Sequence, residues 1–373
     1  VRLGNIINTY NVFQHFYPYM DVVDVDWDRE LDSALSRSLK DSTPNDHYAT
    51  LEKFTAPLRD GHVYVNFPGI REIYAPRITW EWVGNQLVIT NVLDHKIPLE
   101  IGDVVTHVDG IRSKEYFREI ESRISAGTEG WLDHKAKRKA LMGEYGQDMK
   151  VIVDGKEITL SRLSLAYNEP PRQSAHERIN DSVHYLNLSL IEMDAITSLL
   201  SELVDSSAII CDLRGYPNSN HIFISHLLKE RDTSDSWMQV PKIIYPDRRD
   251  IPGLEKHGWN LSRREPYLGN KKVIFITDGS AISYAESFMG FIEGYDLATI
   301  IGQPTAGTNG NINTFDLEGG FGITWTGMKV LKHDGSQHHA IGITPDIYLS
   351  KTVEGIREGR DEFLEKAVEL SNQ

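Results

Sequence analysis

The sequence predicts an α/β fold: a mixed sheet with helices on its faces, preceded by a small helical subdomain and interrupted by a β-rich module. Three observations carry this expectation. Residues 273–277 (VIFIT) are a short apolar run rich in β-branched residues. A turn at Asp278-Gly279-Ser280 follows, then a helical period from Tyr284 with Ala285, Phe288, Met289 and Ile292 on one face, then a second apolar run over 297–301. Residues 183–188, 194–204 and 208–213 repeat the strand, helix, strand rhythm, and the last run is apolar but for Asp212, as in strands covered on both faces. Between them and the N-terminus, residues 78–83 and 86–92 alternate with period two, the pattern of half-buried strands.

Taken in order, residues 6–19 mix aromatic and apolar side chains and read as a helix ended by Pro18. Residues 27–39 are amphipathic, with Leu31, Ala34, Leu35 and Leu39 on one face, and residues 48–58 form a third helix. This helical subdomain is expected over 1–76. A β-rich module is expected over 77–165, with a strand and tight turn through 102–110, a helix over 116–124, and a hairpin of 150–153 with 157–160 around Asp154-Gly155. The basic run 134–139 (HKAKRK) reads as a solvated helix face. Pro170-Pro171 marks a linker, and the α/β core is expected over 166–373. Within it, residues 231–268 read as a polar surface excursion anchored by Trp237 and Trp259. Residues 343–349 read as a closing strand, and 361–370 as a helix with Phe363, Leu364, Ala367 and Leu370 inward.

A chain of 373 residues is long enough for two or three domains, and its 40% hydrophobic and 25% charged content is that of a globular protein. The net charge of 39 − 54 = −15 argues against nucleic acid or an anionic membrane as partner. No apolar run approaches the roughly 18 residues that span a bilayer. No signal-peptide pattern is present, but the sequence starts at Val1 rather than Met, so this says little about address. The single cysteine, Cys211, lies inside an apolar strand and reads as buried packing; it rules out an intrachain disulfide and any multi-cysteine metal site.

Ser283 sits just before the helix that starts at Tyr284. There, free backbone N–H groups and the positive end of the helix dipole favour a nucleophile whose reaction builds negative charge on oxygen. The same position suits an N-cap, and Glu286 three residues on completes a capping-box spelling. Both readings stay open on local sequence.

ISYAES followed by IIGQPTAGTNG resembles the nucleophile segment of the C-terminal processing (tail-specific) serine peptidases, a family that includes the tricorn-protease core. Ser283, Glu286, Gly302, Pro304, Thr305 and Gly307 fit its pattern. Leu58 to His62 (LRDGH), residues 209–214 (IICDLR) and residues 342–347 (GITPDI) resemble three further family segments, in the family's order. The resemblance implies a ClpP/crotonase-like mixed-sheet core, an extracytoplasmic address, and a peptide or unfolded-protein substrate. It calls for no cofactor and leaves the oligomeric state open. The spelling L-E-x-G-D-V-V-x-x-V-D-G within 77–165 resembles a PDZ domain, a module that binds peptide C-termini by strand addition.

A serine hydroxyl needs a base. Processing peptidases use a lysine after the G-x-P-T-x-G element, where this chain has Thr308, and no lysine lies between Lys272 and Lys329. The tricorn-like style uses a histidine ahead of the inserted module, and His62 matches it. The resemblance thus implies Ser283 as nucleophile and His62 as base, with an oxyanion hole of the N–H groups of Tyr284 and of Gly215 or its neighbour. Two departures stand out. The turn after Arg214 reads Gly-Tyr-Pro-Asn rather than Asn and two glycines, and Gly61 stands where tricorn-like members have a serine. The acid expected to orient the base falls near His339, with Asp334 the nearest acid upstream. His333, His338 and His339 lack carboxylate or thiol neighbours at ligand spacing, so no metal is expected. A non-catalytic binding protein on the same scaffold is the competing reading.

Overall fold

Ala208–Asp212 is buried at every position, and it lies inside a six-stranded sheet ordered His176–Asn180, Val183–Asn187, Ala208–Asp212, Lys272–Thr277, Thr299–Gly302 and Ile347–Tyr348. The first pair is antiparallel and the others are parallel. The computed structural model describes residues 1–166, 174–241 and 253–373; the linker expected at Pro170-Pro171 lies outside them. Period two sorts the side chains of the sheet. Ile209, Cys211, Val273 and Phe275 face a core completed by Ala285, Phe288, Met289 and Ile292 of the helix Tyr284–Gly294. Tyr185, Ile210, Ile274 and Ile276 face the opposite way, onto Phe363 and Ala367 of the helix Glu362–Ser371. Apolar burial on both faces is why these strands read as continuous hydrophobic runs.

The N-terminal helices Arg2–Phe16, Trp27–Ser38 and Pro44–Thr55 pack on a second sheet of Tyr64–Asn66, Phe321–Thr326 and Ile312–Leu317. Ile6, Phe13, Trp27, Leu51 and Phe54 share a core there with Ile323 and Trp325, and the rings of Trp27 and Phe54 stack at 4.5 Å. The hairpin over 312–326 had no counterpart in the sequence expectations. Gly319 and Gly320, at φ 87° and 83°, make its turn.

Residues 78–161 form a third sheet, with Ile78–Val83, Gln86–Val92, Val104–Val108, Asp148–Val153 and Lys156–Ser161 in sequence order. The last hairpin turns through Asp154 and Gly155, both at positive φ, as its spelling predicts. Two helices, Ser113–Glu121 and Glu129–Lys139, cover this sheet, and the basic run lies on the second. Within the expected surface excursion, Met238–Pro241 and Leu254–His257 pair as strands, and Trp237 is buried in the main core. The closing strand shrinks to Ile347–Tyr348. The Ile343 carbonyl instead accepts from Thr305 N and its N–H donates to Thr305 Oγ1, and Asp346 accepts from the Ile300 N–H at 2.8 Å.

Below the turn at Gly215 the main sheet is locked to the C-terminal helix by charge. Arg214, with its side chain 2% exposed, donates to Asp212 (Nε to Oδ1, 3.0 Å) and forks onto Asp361 (Nη1 to Oδ1, 2.8 Å; Nη2 to Oδ2, 2.7 Å). Tyr185 Oη donates to the same Asp212 carboxylate at 2.9 Å. Removing the cation would leave a buried carboxylate uncompensated. Arg214→Ala should therefore lower the unfolding free energy by about 3–5 kcal/mol, read from urea denaturation. Arg214→Lys should recover only part of that, because an ammonium cannot fork between two carboxylates.

Candidate active site

Ser283 has φ 60° and ψ −115°, a conformation that residues with a side chain rarely adopt and that recurs at functional sites. It occupies the N-cap position, yet its side chain makes no capping hydrogen bond. This corrects the capping-box reading. Capping uses extended backbone angles at the cap residue, and Ser283 does not have them. Glu286 does not fold back either. Its buried carboxylate reaches the loop after Gly302, accepting from Gly307 N (2.7 Å), Thr308 N (2.8 Å) and the Thr305 hydroxyl.

The loop so held ties the two halves of the site together. The Thr308 carbonyl accepts from Ser283 N at 2.9 Å, and the Thr308 hydroxyl accepts from Gly61 N at 2.8 Å. A methyl group built on Gly61 would lie 2.9 Å from Ile282 Cδ1. Residues 282–283 and 61–62 thus meet, although more than 200 residues separate them. Among the described residues no hydrogen bond joins Ser283 Oγ to His62 Nε2. The position where processing peptidases carry lysine holds Thr308, which here serves as the bridge.

His62 is half-buried between Asp60 and the strand Phe321–Thr326. Its N–H donates to Asp60 Oδ1 at 3.0 Å, its carbonyl accepts from Thr324 Oγ1 at 2.9 Å, and its Nδ1 lies 2.9 Å from Thr326 Oγ1. Burial pushes the imidazole below its usual value of 6.5, and the charges of Asp60 and Glu286 offset only part of that. A neutral ring at neutral pH follows. Asp60, fully buried, also accepts from Thr326 N (2.9 Å) and Thr326 Oγ1 (2.7 Å).

The N–H of Tyr284 is the first of its helix and has no intrahelical carbonyl to bond. Gly215, at φ 139°, follows the central strand, and the rings of Tyr216 and Tyr284 lie 5.7 Å apart. Gly215, Tyr216 and Ile282 share the wall of a cleft of about 1740 Å³ with Arg59, Trp131 and Lys135. His339, at the place expected for the orienting acid, is stacked on Tyr19 at 3.8 Å with Nε2 3.2 Å from Tyr17 Oη. Burial lowers it to about 4. His338 Nε2 lies 3.3 Å from Glu286 Oε1, and His333 stacks on Trp237. Asp334 is occupied by Ser336. Among the described residues no three His, Cys, Asp or Glu side chains are grouped to hold a metal ion. Sequence reasoning missed Asp60 and Thr326 as neighbours of the His62 side chain. Asp60 stood inside the quoted LRDGH segment; nothing in the sequence pointed to Thr326.

Residues 227–349 match the family model "Peptidase family S41". The carboxyl-terminal-processing protease of Synechocystis sp. (strain ATCC 27184 / PCC 6803 / Kazusa) is 28% identical over 200 residues, 51% of this chain and 43% of the relative, so less than half of that relative's length is matched. Among solved structures, mature CPAF complexed with lactacystin aligns with a TM-score of 0.78 at 14% identity, over 99% of this chain and 97% of that one. Mature CPAF alone aligns at 0.77, also at 14% identity, over 99% and 96%. The motif resemblance is thereby supported: residues 227–349 are similar to peptidase family S41, and the mixed α/β fold is shared with these solved structures.

Gly61 departs from the tricorn-like serine for a visible reason. A methyl group there would lie 2.7 Å from Trp131 Nε1, so the indole occupies the space a serine side chain would need. Gly61→Ser should lower the melting temperature, and the cost should shrink when Trp131→Ala is added. A double-mutant cycle read by thermal unfolding should give a coupling of about 1–3 kcal/mol.

Proposed function

We propose that the protein is a serine peptidase acting on extended or C-terminal peptide segments. Ser283 Oγ attacks the peptide carbonyl and His62 Nε2 takes its proton. The imidazolium returns that proton to the leaving amine, and water then releases the acyl group by the same steps in reverse roles. The N–H groups of Tyr284 and Gly215 hold the oxyanion. The observation that carries this reading is the Thr308 bridge: its carbonyl on Ser283 N and its hydroxyl on Gly61 N bring nucleophile and base segments to one place. The strained backbone of Ser283 and the neutral His62 ring support the same roles.

The proposal divides the chain into a helical subdomain (1–76), a PDZ-like module (77–165) and the peptidase core (166–373), with the module presenting the substrate's end along the cleft. An extracytoplasmic location accords with the type of relative matched. Among the described residues no helix is long and apolar enough to cross a membrane. The missing Ser283–His62 hydrogen bond favours a second reading, a non-catalytic peptide-binding protein on the same scaffold, although such bonds often tighten only with substrate bound.

A fluorophosphonate probe separates the two. Serine attack at phosphorus expels fluoride, so the folded protein should be labelled once. Ser283→Ala should abolish labelling, and His62→Ala should slow it by about 10²–10⁴-fold. Wild-type protein that is folded yet unlabelled would overturn the peptidase reading. The labelling rate should also depend on pH with a single acid limb. Because burial depresses the His62 pKa, that limb should lie below the usual imidazole range, and the rate should be level through neutral pH and fall on acidification.

A further inference from the structure

The base of this site needs something to fix which ring nitrogen carries the proton, and neither His339 nor Asp334 is available for it. We propose that Asp60 and Thr326 are the positioning residues of His62: the Thr326 hydroxyl, donating to Asp60, accepts the Nδ1–H of His62 and leaves Nε2 unprotonated for Ser283. The proposal rests on the reading of His62 as the base and adds the group that orients it.

The donors around Asp60 decide the tautomer. Asp60 is fully buried, and three donors converge on its two oxygens. His62 N and Thr326 Oγ1 reach Oδ1 at 3.0 and 2.7 Å, and Thr326 N reaches Oδ2 at 2.9 Å. Backbone N–H groups can only donate, so both carboxylate oxygens act as acceptors. A threonine hydroxyl has one proton, and here it is committed to Oδ1. Towards His62, 2.9 Å away, Thr326 Oγ1 therefore offers only lone pairs. The contact is a hydrogen bond only if Nδ1 carries the proton. A neutral imidazole has one such proton, so Nε2 keeps its lone pair.

The same chain serves the charged stage of the reaction. When His62 Nε2 takes the Ser283 proton, the ring becomes a cation with two N–H donors. Nδ1–H still points at an oxygen whose own proton lies towards a carboxylate, and that polarised chain stabilises the cation. Asp60 and Glu286 are the charged groups facing the ring, and both favour its protonated form. A hydroxyl thus stands between acid and base, where a direct carboxylate–imidazole contact is the usual arrangement. It is supplied by a strand 264 residues along the chain.

Thr326 is fully buried, so a methyl can replace its hydroxyl with little change of shape. Three full-length proteins are compared: wild type, Thr326→Val and Thr326→Ser. The first measurement is the ¹⁵N chemical shift pair of the His62 ring at pH 7.5, assigned with the His62→Ala variant. Wild type should show a protonated Nδ1 and a bare Nε2. Thr326→Val should show a mixture of the two tautomers, and Thr326→Ser should restore the wild-type pattern. The second is the fluorophosphonate labelling rate across pH. Thr326→Val should lose about 10–100-fold on the plateau, part of what a general base supplies, and Thr326→Ser should recover most of it. A purely structural role would lower thermal stability without changing the tautomer. A bare Nδ1 in the wild-type protein overturns the proposal and needs no variant. So does a folded Thr326→Val protein with wild-type tautomer and labelling rate. Failure of the peptidase reading looks different: wild type is then unlabelled while its Nδ1 remains protonated and responds to Thr326→Val.

Discussion

The site depends on one buried carboxylate. Glu286, 1% exposed, stands on the first turn of the helix Tyr284–Gly294, and its partners lie outside that helix: two backbone N–H groups and a hydroxyl of residues 305–308, with the His338 ring beside them. Each buried N–H left without an acceptor would cost about 1–3 kcal/mol, so the loop has one low-energy path, wrapped on the carboxylate. That path decides where Thr308 lies, and Thr308 decides how the Ser283 and Gly61 amides are placed. Charge buried at a helix start is also favoured by the dipole. Motif residues that look like a family signature are thus a single mechanical unit, a carboxylate with a loop folded around it.

This constraint also explains how Ser283 sustains its backbone angles. A non-glycine residue in such a conformation costs on the order of 1–3 kcal/mol and persists only where its surroundings over-determine it. Here the Ser283 N–H is held by Thr308 and its carbonyl by Ser287 N, one on each side of the strained unit. Electrostatics then sets the state of the His62 ring. Two carboxylates face it and favour the imidazolium, yet burial outweighs them and the ring titrates below its usual range. For the proposed proton transfer this balance is useful. The resting ring is neutral, and a cation formed on it would meet fixed negative charge that needs no reorganisation.

The central sheet was legible in the sequence because burial on both faces writes itself as unbroken apolar runs, as in residues 208–211 of Ala208–Asp212 and 273–276 of Lys272–Thr277. The Asp154-Gly155 hairpin was legible because its turn type demands those residues. Capping at Ser283 stayed open in the sequence because the same S-x-x-E spacing serves two geometries, and only the backbone angle distinguishes them. The hairpin ending at Thr326 was not legible for a different reason. Ile312–Leu317 is mostly exposed and carries no apolar alternation, and its partner strand pairs with Tyr64–Asn66, about 260 residues earlier. Local pattern holds no record of such a pairing. Thr326 could be placed in the Asp60–Thr326–His62 cluster only once the sheet register was known: Asn66 opposite Gly322 and Tyr64 opposite Thr324 set Thr326 beyond Tyr64, level with the approach to His62.

The seam between the β-rich module and the core follows the same logic of position set by backbone. Side chains built on Gly127 would strike Gly307 O at 2.6 Å, and on Gly279 would strike Gly130 C at 2.3 Å; the two backbones touch with no room between them. Thr128 Oγ1 donates to Thr305 O at 2.9 Å, and Ser125 Oγ accepts from Asp60 N at 2.8 Å. The segment 125–131 is therefore registered against both the Glu286-held loop and the residue before Gly61. Trp131, one turn into its helix, inherits that register and fills the space beside Gly61. The absence of a side chain at residue 61 is then a consequence of how closely the β-rich segment approaches, and the sequence departure at that position belongs to the seam as much as to the proposed Ser283–His62 pair.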